Sequence, residues 1–153
     1  MANSGASYLD LLGTGVLDAK LEERFLNWCV LQNIRPAYAH ALISHDLSAE
    51  GRRVLAAQTS QQLAALAAAI GMSERASAHV IFAWIANAIQ CAVQFDEPAE
   101  AWRHAVSAIA WSLMYSQRLD ELDRDSAPFR AMEAQIRETF AKRLRGMAQS
   151  ARS

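Results

Sequence analysis

The side chains of this chain that could do chemistry are scattered. His40, His45 and Asp46 are the nearest grouping of imidazoles with a carboxylate, but a five-residue step sets the two histidines on different faces of a helix, and a metal needs ligands converging from one side. Glu97 and Glu100 bracket a helix start, where carboxylates answer the positive end of the helix dipole without any acid–base duty. Gly13-Thr14-Gly15 lacks the remaining glycine of a dinucleotide loop and follows no strand, and no P-loop, GxSxG or HExxH segment occurs. Cys29 and Cys91 each lie inside an apolar stretch, outside any CxxC spacing, and read as reduced, buried thiols. Asn87 and Gln90 fall in the most apolar segment and offer the lining of a polar pocket, although buried amides ordinarily just satisfy neighbouring groups. The expectation is a non-enzymatic chain with no catalytic residue, no metal site and no cofactor.

A local unit with more content runs from Gln61 to Val80. Leu66, Ala67, Ile70, Gly71, Met72 and Val80 are spaced as in a helix-turn-helix, with small Ala67 at the helix crossing and Gly71 in the turn. The helix after that turn would offer Arg75 and His79 to a DNA groove, with Arg52 and Arg53 as further contacts to phosphate or base edges. Ser77 departs from the pattern, standing where the motif has a branched apolar residue, and Glu74 opposes a phosphate backbone. Any helical hairpin with a glycine turn shares much of this spacing.

The elements that would carry these residues are helices almost throughout. Ala is abundant, Arg outnumbers Lys, and only 3 prolines occur, so the composition leans to helix formers. Residues 1–15 read as a flexible N-terminus, and residues 16–148 as one helical domain. A first helix begins near Val16 or Leu17, where Leu17, Leu21, Phe25, Trp28 and Leu31 recur along one face. A break is expected at Asn33 to Arg35, because the residue before Pro36 is pushed out of the α region. Ser48 reads as an N-cap with Glu50 in the first turn. The following stretch leaves two readings open: one helix to Ile70, or a pause at Gln58 to Ser60 with a new cap at Thr59 or Ser60. Ser73 is expected to cap a central helix over Ala76 to Phe95, apolar on nearly every side.

Pro98 starts a helix carrying Trp102, Val106, Ile109 and Leu113, and the run Asp120 to Asp125 reads as a solvated connection. Trp28, Trp84 and Trp102 fall on core stripes, whereas Trp111 lies off one. The last helix begins at Ser126 and Pro128, with Phe129, Met132, Ile136, Phe140, Leu144 and Met147 as its stripe, and the chain frays over 149–153. Arg130, Arg137, Lys142, Arg143 and Arg145 lie off that stripe. The helix is read as a docking or dimerisation element in which Phe140 and Leu144 mediate self-association; contact with phosphate or a membrane surface is the other use of its cations.

From Leu26 to Ala67 the sequence resembles the D subunit of the flagellar master transcriptional activator. The resemblance rests on an apolar helix, Ala41-Leu42-Ile43, then Asp46-Leu47-Ser48-Ala49-Glu50, Leu55, Thr59, Gln62, Leu66 and Ala67. It covers little more than a quarter of the chain, with Asp46 where that family is expected to have Gly and an apolar helix pair after Ala67 that it lacks. The resemblance implies a helical dimer acting in transcription with a partner subunit.

The bulk numbers bound these readings. At 153 residues, 52% hydrophobic and 20% charged, one domain with its own core is expected. A net charge of −1 supplies no field to draw the whole chain onto nucleic acid or anionic lipid, so any such binding is local. Met1 to Ser7 has no basic start or apolar run of a signal peptide, and Val80 to Val93 is too short to span a bilayer; a cytoplasmic protein without membrane contact is expected. The architecture expected is all-α, an orthogonal bundle of five or six helices. The expected function is transcription-associated, through duplex DNA or a DNA-binding partner and in a homo-oligomer. The competing expectation is a helical protein-interaction module of the adaptor, secretion-accessory or immunity type.

Overall fold

In the structure, a computed structural model, residues 8–76, 79–117 and 126–151 are described. They form a 3₁₀ turn (Leu9–Leu11), α1 (Ala19–Trp28), a π-helical segment (Cys29–Ile34), α2 (Arg35–Ser44), α3 (Ser48–Ala56), α4 (Ser60–Gly71), α5 (Val80–Ala92), α6 (Pro98–Ser116) and α7 (Ala127–Ala151). No strand occurs among the described residues, and the chain is an all-α bundle. The acidic run Asp120 to Asp125 lies outside them.

The break expected before Pro36 is absent. Ile34 and Arg35 both keep right-handed helical torsions, so α1, the π segment and α2 form one continuous helical run. A proline inside an α-helix lacks the N–H donor and drives its ring against the carbonyl four residues back. The wider π turn accommodates both problems: Arg35 N–H bonds to the Val30 carbonyl, five residues back. The Asn33 amide reaches the Trp28 carbonyl at 3.1 Å. Arg35 also donates from Nη1 to the Ala57 carbonyl at 2.6 Å, tying the start of α2 to the end of α3.

Other boundaries follow local chemistry. Asp46 takes the left-handed position after α2, with φ +66. Asp46 N–H bonds to Ile43 O at 3.2 Å and Leu47 N–H to Leu42 O at 2.9 Å, the paired bonds of a Schellman stop. Leu47 rather than Ser48 is the N-cap of α3, and no side chain caps it. Between α3 and α4 the chain does pause: Thr59 Oγ1 accepts from Gln62 N–H at 3.1 Å, while the Gln62 side chain accepts from Gln58 N–H at 2.8 Å. Thr59 thus caps α4 as a capping box would, with the return bond from Gln62 displaced by one residue onto Gln58.

Helix α5 buries Ile81, Phe82, Ile85, Ala86 and Ile89, yet the α-helix with the most neighbours is α6, which is exposed mainly in its first turns. Ala101, Ala105, Ala108 and Ala110 let its neighbours approach closely, and α1, the π segment, α2, α5 and α7 all pack on it. Helix α7 closes the bundle in cis. Phe140 meets Phe25 edge-on at 6.0 Å and Trp28 at 5.8 Å, and both Phe140 and Leu144 are 0% exposed. Of the two dispositions the sequence leaves open for this helix, wrapped across its own bundle or exchanged with a second copy, the chain adopts the first, and Phe140 and Leu144, expected to mediate self-association, are covered within it. Ahead of α1, Leu9 and Leu12 are buried against the body, and Gly13 N–H donates to Glu22 Oε2 at 2.8 Å. At the other end α7 continues past residue 148 to Ala151.

Two helical glycines make a paired test. A Cβ on Gly51 would sit 2.6 Å from Ile43 Cγ1 and 3.0 Å from the Ala39 carbonyl oxygen, whereas one on Gly146 would meet nothing within 4 Å. Gly51→Ala should destabilise the fold by about 1–3 kcal/mol through overpacking. Gly146→Ala should stabilise it by roughly 0.5–1 kcal/mol through backbone entropy. Urea unfolding of both variants checks the opposite signs.

Candidate functional site

The residues expected to read DNA lie at a corner of the bundle. Gly71 ends α4 and α5 begins only at Val80, so Arg75 and His79 belong to the connection and not to a recognition helix. Ser73 caps a turn within that connection: its Oγ donates to Ile70 O at 2.9 Å and accepts from Ala76 N–H at 3.2 Å. The short turn of a helix-turn-helix is thus replaced by a longer segment.

Arg75 is engaged with the α2–α3 turn. Its guanidinium pairs with Glu50 Oε2 at 3.2 Å and donates to the Asp46 carbonyl at 3.1 Å. Glu50 is 5% exposed, so the guanidinium offsets the cost of burying a carboxylate. His79 is engaged with α6. Its Nδ1 hydrogen-bonds the Tyr115 hydroxyl, the Tyr115 ring stacks on His45 at 3.8 Å, and His45 Nε2 lies 2.8 Å from the Tyr115 carbonyl oxygen. Phe82 closes the group from α5, with its ring 5.7 Å from that of His79. Burial, and then the charge of His45, lower the His79 pKa from its ordinary 6.5. The expected separation of His40 from His45 holds, and His45 finds its imidazole neighbour in His79 at 5.2 Å instead. No grouping of three His, Cys, Asp or Glu suited to a metal is found among the described residues.

Arg52 and Arg53 are exposed on α3, with Arg52 one turn before Leu55, which is 48% exposed. The structure brings neither of them to Arg75 or His79 by hydrogen bond or ion pair. Sequence reasoning also inverted two tryptophans. Trp111, placed off the stripe, is 9% exposed, while Trp84, placed in the core, is 46% exposed and leans on Trp111 at a ring separation of 5.9 Å. Val80, Ala83, Trp84 and Asn87 are all exposed and share the outward face of α5, with half-buried Cys91 one turn beyond. Asn87 therefore lines no internal pocket, whereas Gln90 Nε2 donates to the Ala64 carbonyl at 2.6 Å and joins α5 to α4.

The surface carries several hollows. A groove of about 500 Å³ lies beside the π segment, with Pro36, Ala37, Ile109, Leu113 and Phe140 below and His40 among its polar edge. A cleft of about 600 Å³ lies between α1 and the end of α7. No described helix is long and apolar enough to cross a membrane. No protein-family model, curated protein or solved structure matches the chain. The likeness to the flagellar activator subunit rests on the quoted sequence residues alone.

The corner generates a pH-dependence. Because the folded His79 pKa is below 6.5, the unfolded chain binds the proton more readily. The stability it contributes is complete above the unfolded value and is lost as pH falls through the folded one. Thermal midpoints from about pH 8 down to about pH 5 should fall for the wild type and fall less for His79→Gln. Arg75→Ala should lower stability by about 1–3 kcal/mol at neutral pH by leaving Glu50 buried and unpaired, a loss that urea titration reads directly.

Proposed function

We propose that the chain is a non-enzymatic helical protein-interaction module whose docking face is the outward stripe of α5. The observation that carries this reading is Trp84, nearly half exposed on a helix that has no charged residue over Val80–Ala92. Large apolar surface turned to water is costly, and exposed tryptophans of this kind are the usual anchors of protein interfaces. Val80, at 60% exposure, stands one turn before Trp84 and extends the patch along the helix.

The occupant that fits is the same face of a second copy. A two-fold interface presents each residue to its own equivalent region, so any charge on the stripe would meet its like; α5 carries none. Asn87 supplies an uncharged edge able both to donate and to accept hydrogen bonds across such an interface. Duplex DNA or a DNA-binding partner fits less well. Arg75 and His79 are occupied within the fold, which leaves Arg52 and Arg53 as the readers, on a helix of only 9 residues.

Sedimentation equilibrium tests the proposal. The wild type should show a concentration-dependent dimer, and Trp84→Glu should be monomeric at the same loading with an unchanged far-ultraviolet circular dichroism spectrum. A wild type monomeric at every concentration, or a dimer unaffected by Trp84→Glu, removes the second copy as occupant.

A further inference from the structure

The basic residues near the end of α7 take no part in the core, the polar corner or the α5 stripe. Lys142 and Arg143 face Arg24 of α1 across the cleft of about 600 Å³, with Gly146 and Ser150 also lining it. None of these three cations is ion-paired with a carboxylate among the described residues. Arg143 is held against α1 by its position over the Trp28 ring, 5.2 Å from the centroid.

Cations late in a helix are ordinarily explained by its negative C-terminal end. That effect fades beyond the last turn. The last turn of α7 contains no basic residue, and Lys142 and Arg143 stand more than two turns before Ala151. Arg24, moreover, comes from a different helix. Gly146 adds a second observation. A glycine inside a helix costs about 1 kcal/mol relative to alanine, yet no internal packing demands one here, because an added Cβ would meet nothing within 4 Å. Its missing side chain leaves the helix backbone open to whatever enters the cleft.

We infer that this cleft binds a phosphate group carried by a small soluble molecule. Arg24 and Arg143 provide guanidinium forks suited to paired phosphate oxygens, and Lys142 provides a mobile point charge. Like charges gathered on one cleft raise one another's energy, and a phosphate dianion relieves this more fully than a single carboxylate. The volume is that of a small-molecule site. A chain of net charge −1 has no extended field to hold a polyanion along its surface. The inference is independent of the α5 reading.

Isothermal titration with inorganic pyrophosphate tests it on the full-length chain. The wild type should bind saturably, and Arg24→Gln and Lys142→Gln, both at exposed positions, should each weaken binding by about tenfold while keeping the native circular dichroism spectrum. Arg53→Gln, outside the cleft, should leave the affinity unchanged. Absence of saturable binding at low-millimolar pyrophosphate overturns the inference, as does wild-type affinity in both cleft variants. Titrations with duplex DNA and with phosphatidic-acid vesicles identify the source of the phosphate. Binding confined to either of these, and lost in the cleft variants, also overturns the assignment to a small soluble ligand.

Discussion

An alanine-lined helix packed against its neighbours is the constraint on which the rest of this structure depends. With Ala101, Ala105, Ala108 and Ala110 buried along α6, the surrounding helices come close and add bulky groups of their own. Phe25, Tyr38, Phe82, Phe129 and Phe140 are among the largest fully buried side chains, and each comes from another helix. The alanines of α6 let its neighbours approach, while Trp102, Ile109, Trp111 and Met114 of the same helix fill the space between those close contacts.

That closure forces some polar groups inward. The Tyr38 hydroxyl is buried without a hydrogen-bond partner among the described residues, and burial raises its pKa well above the ordinary value. Glu50 is buried with one oxygen paired and the other not. Burial also pushes the Cys29 thiol up, which keeps it protonated and unreactive. Arg75, His45 and His79 answer part of this cost at one corner, joining the α2–α3 turn, the α4–α5 connection and the end of α6. The side chains that looked most available for recognition are thus those that hold the fold's least regular segments together.

Among the features turned outward are the Trp84 stripe and the cleft lined by Arg24, Lys142 and Arg143. The two differ in chemistry and lie on different helices, so a module that couples association through one to ligand occupancy at the other is open to direct study. The sequence pattern marked Lys142 and Arg143 as cations free to meet phosphate, but it marked neither Arg24 nor the exposure of Trp84. Trp84 sits among apolar residues on every side, so periodicity alone could not tell its outward face from its inward one. The cleft needs Arg24 of α1 beside Arg143 of α7, a pairing created by the Trp28 and Phe140 contact over a separation too long for any motif.

Helix identity was legible from composition and spacing, because apolar residues at three- and four-residue steps allow only helices that bury one face. The capping signals at Thr59 and Ser126 were also readable, since a side-chain oxygen bonding an N–H three residues on is local chemistry. Local rules failed where a tertiary neighbour altered the balance. Pro36 was accommodated by a π turn whose Arg35 is anchored on Ala57, and Ser73 capped a turn instead of the helix it precedes. Which face of α5 meets water, whether Phe140 and Leu144 find cover in their own chain, and what Arg75 grips were decided only by packing. Those outcomes depend on distances between residues far apart in sequence, which periodicity does not encode.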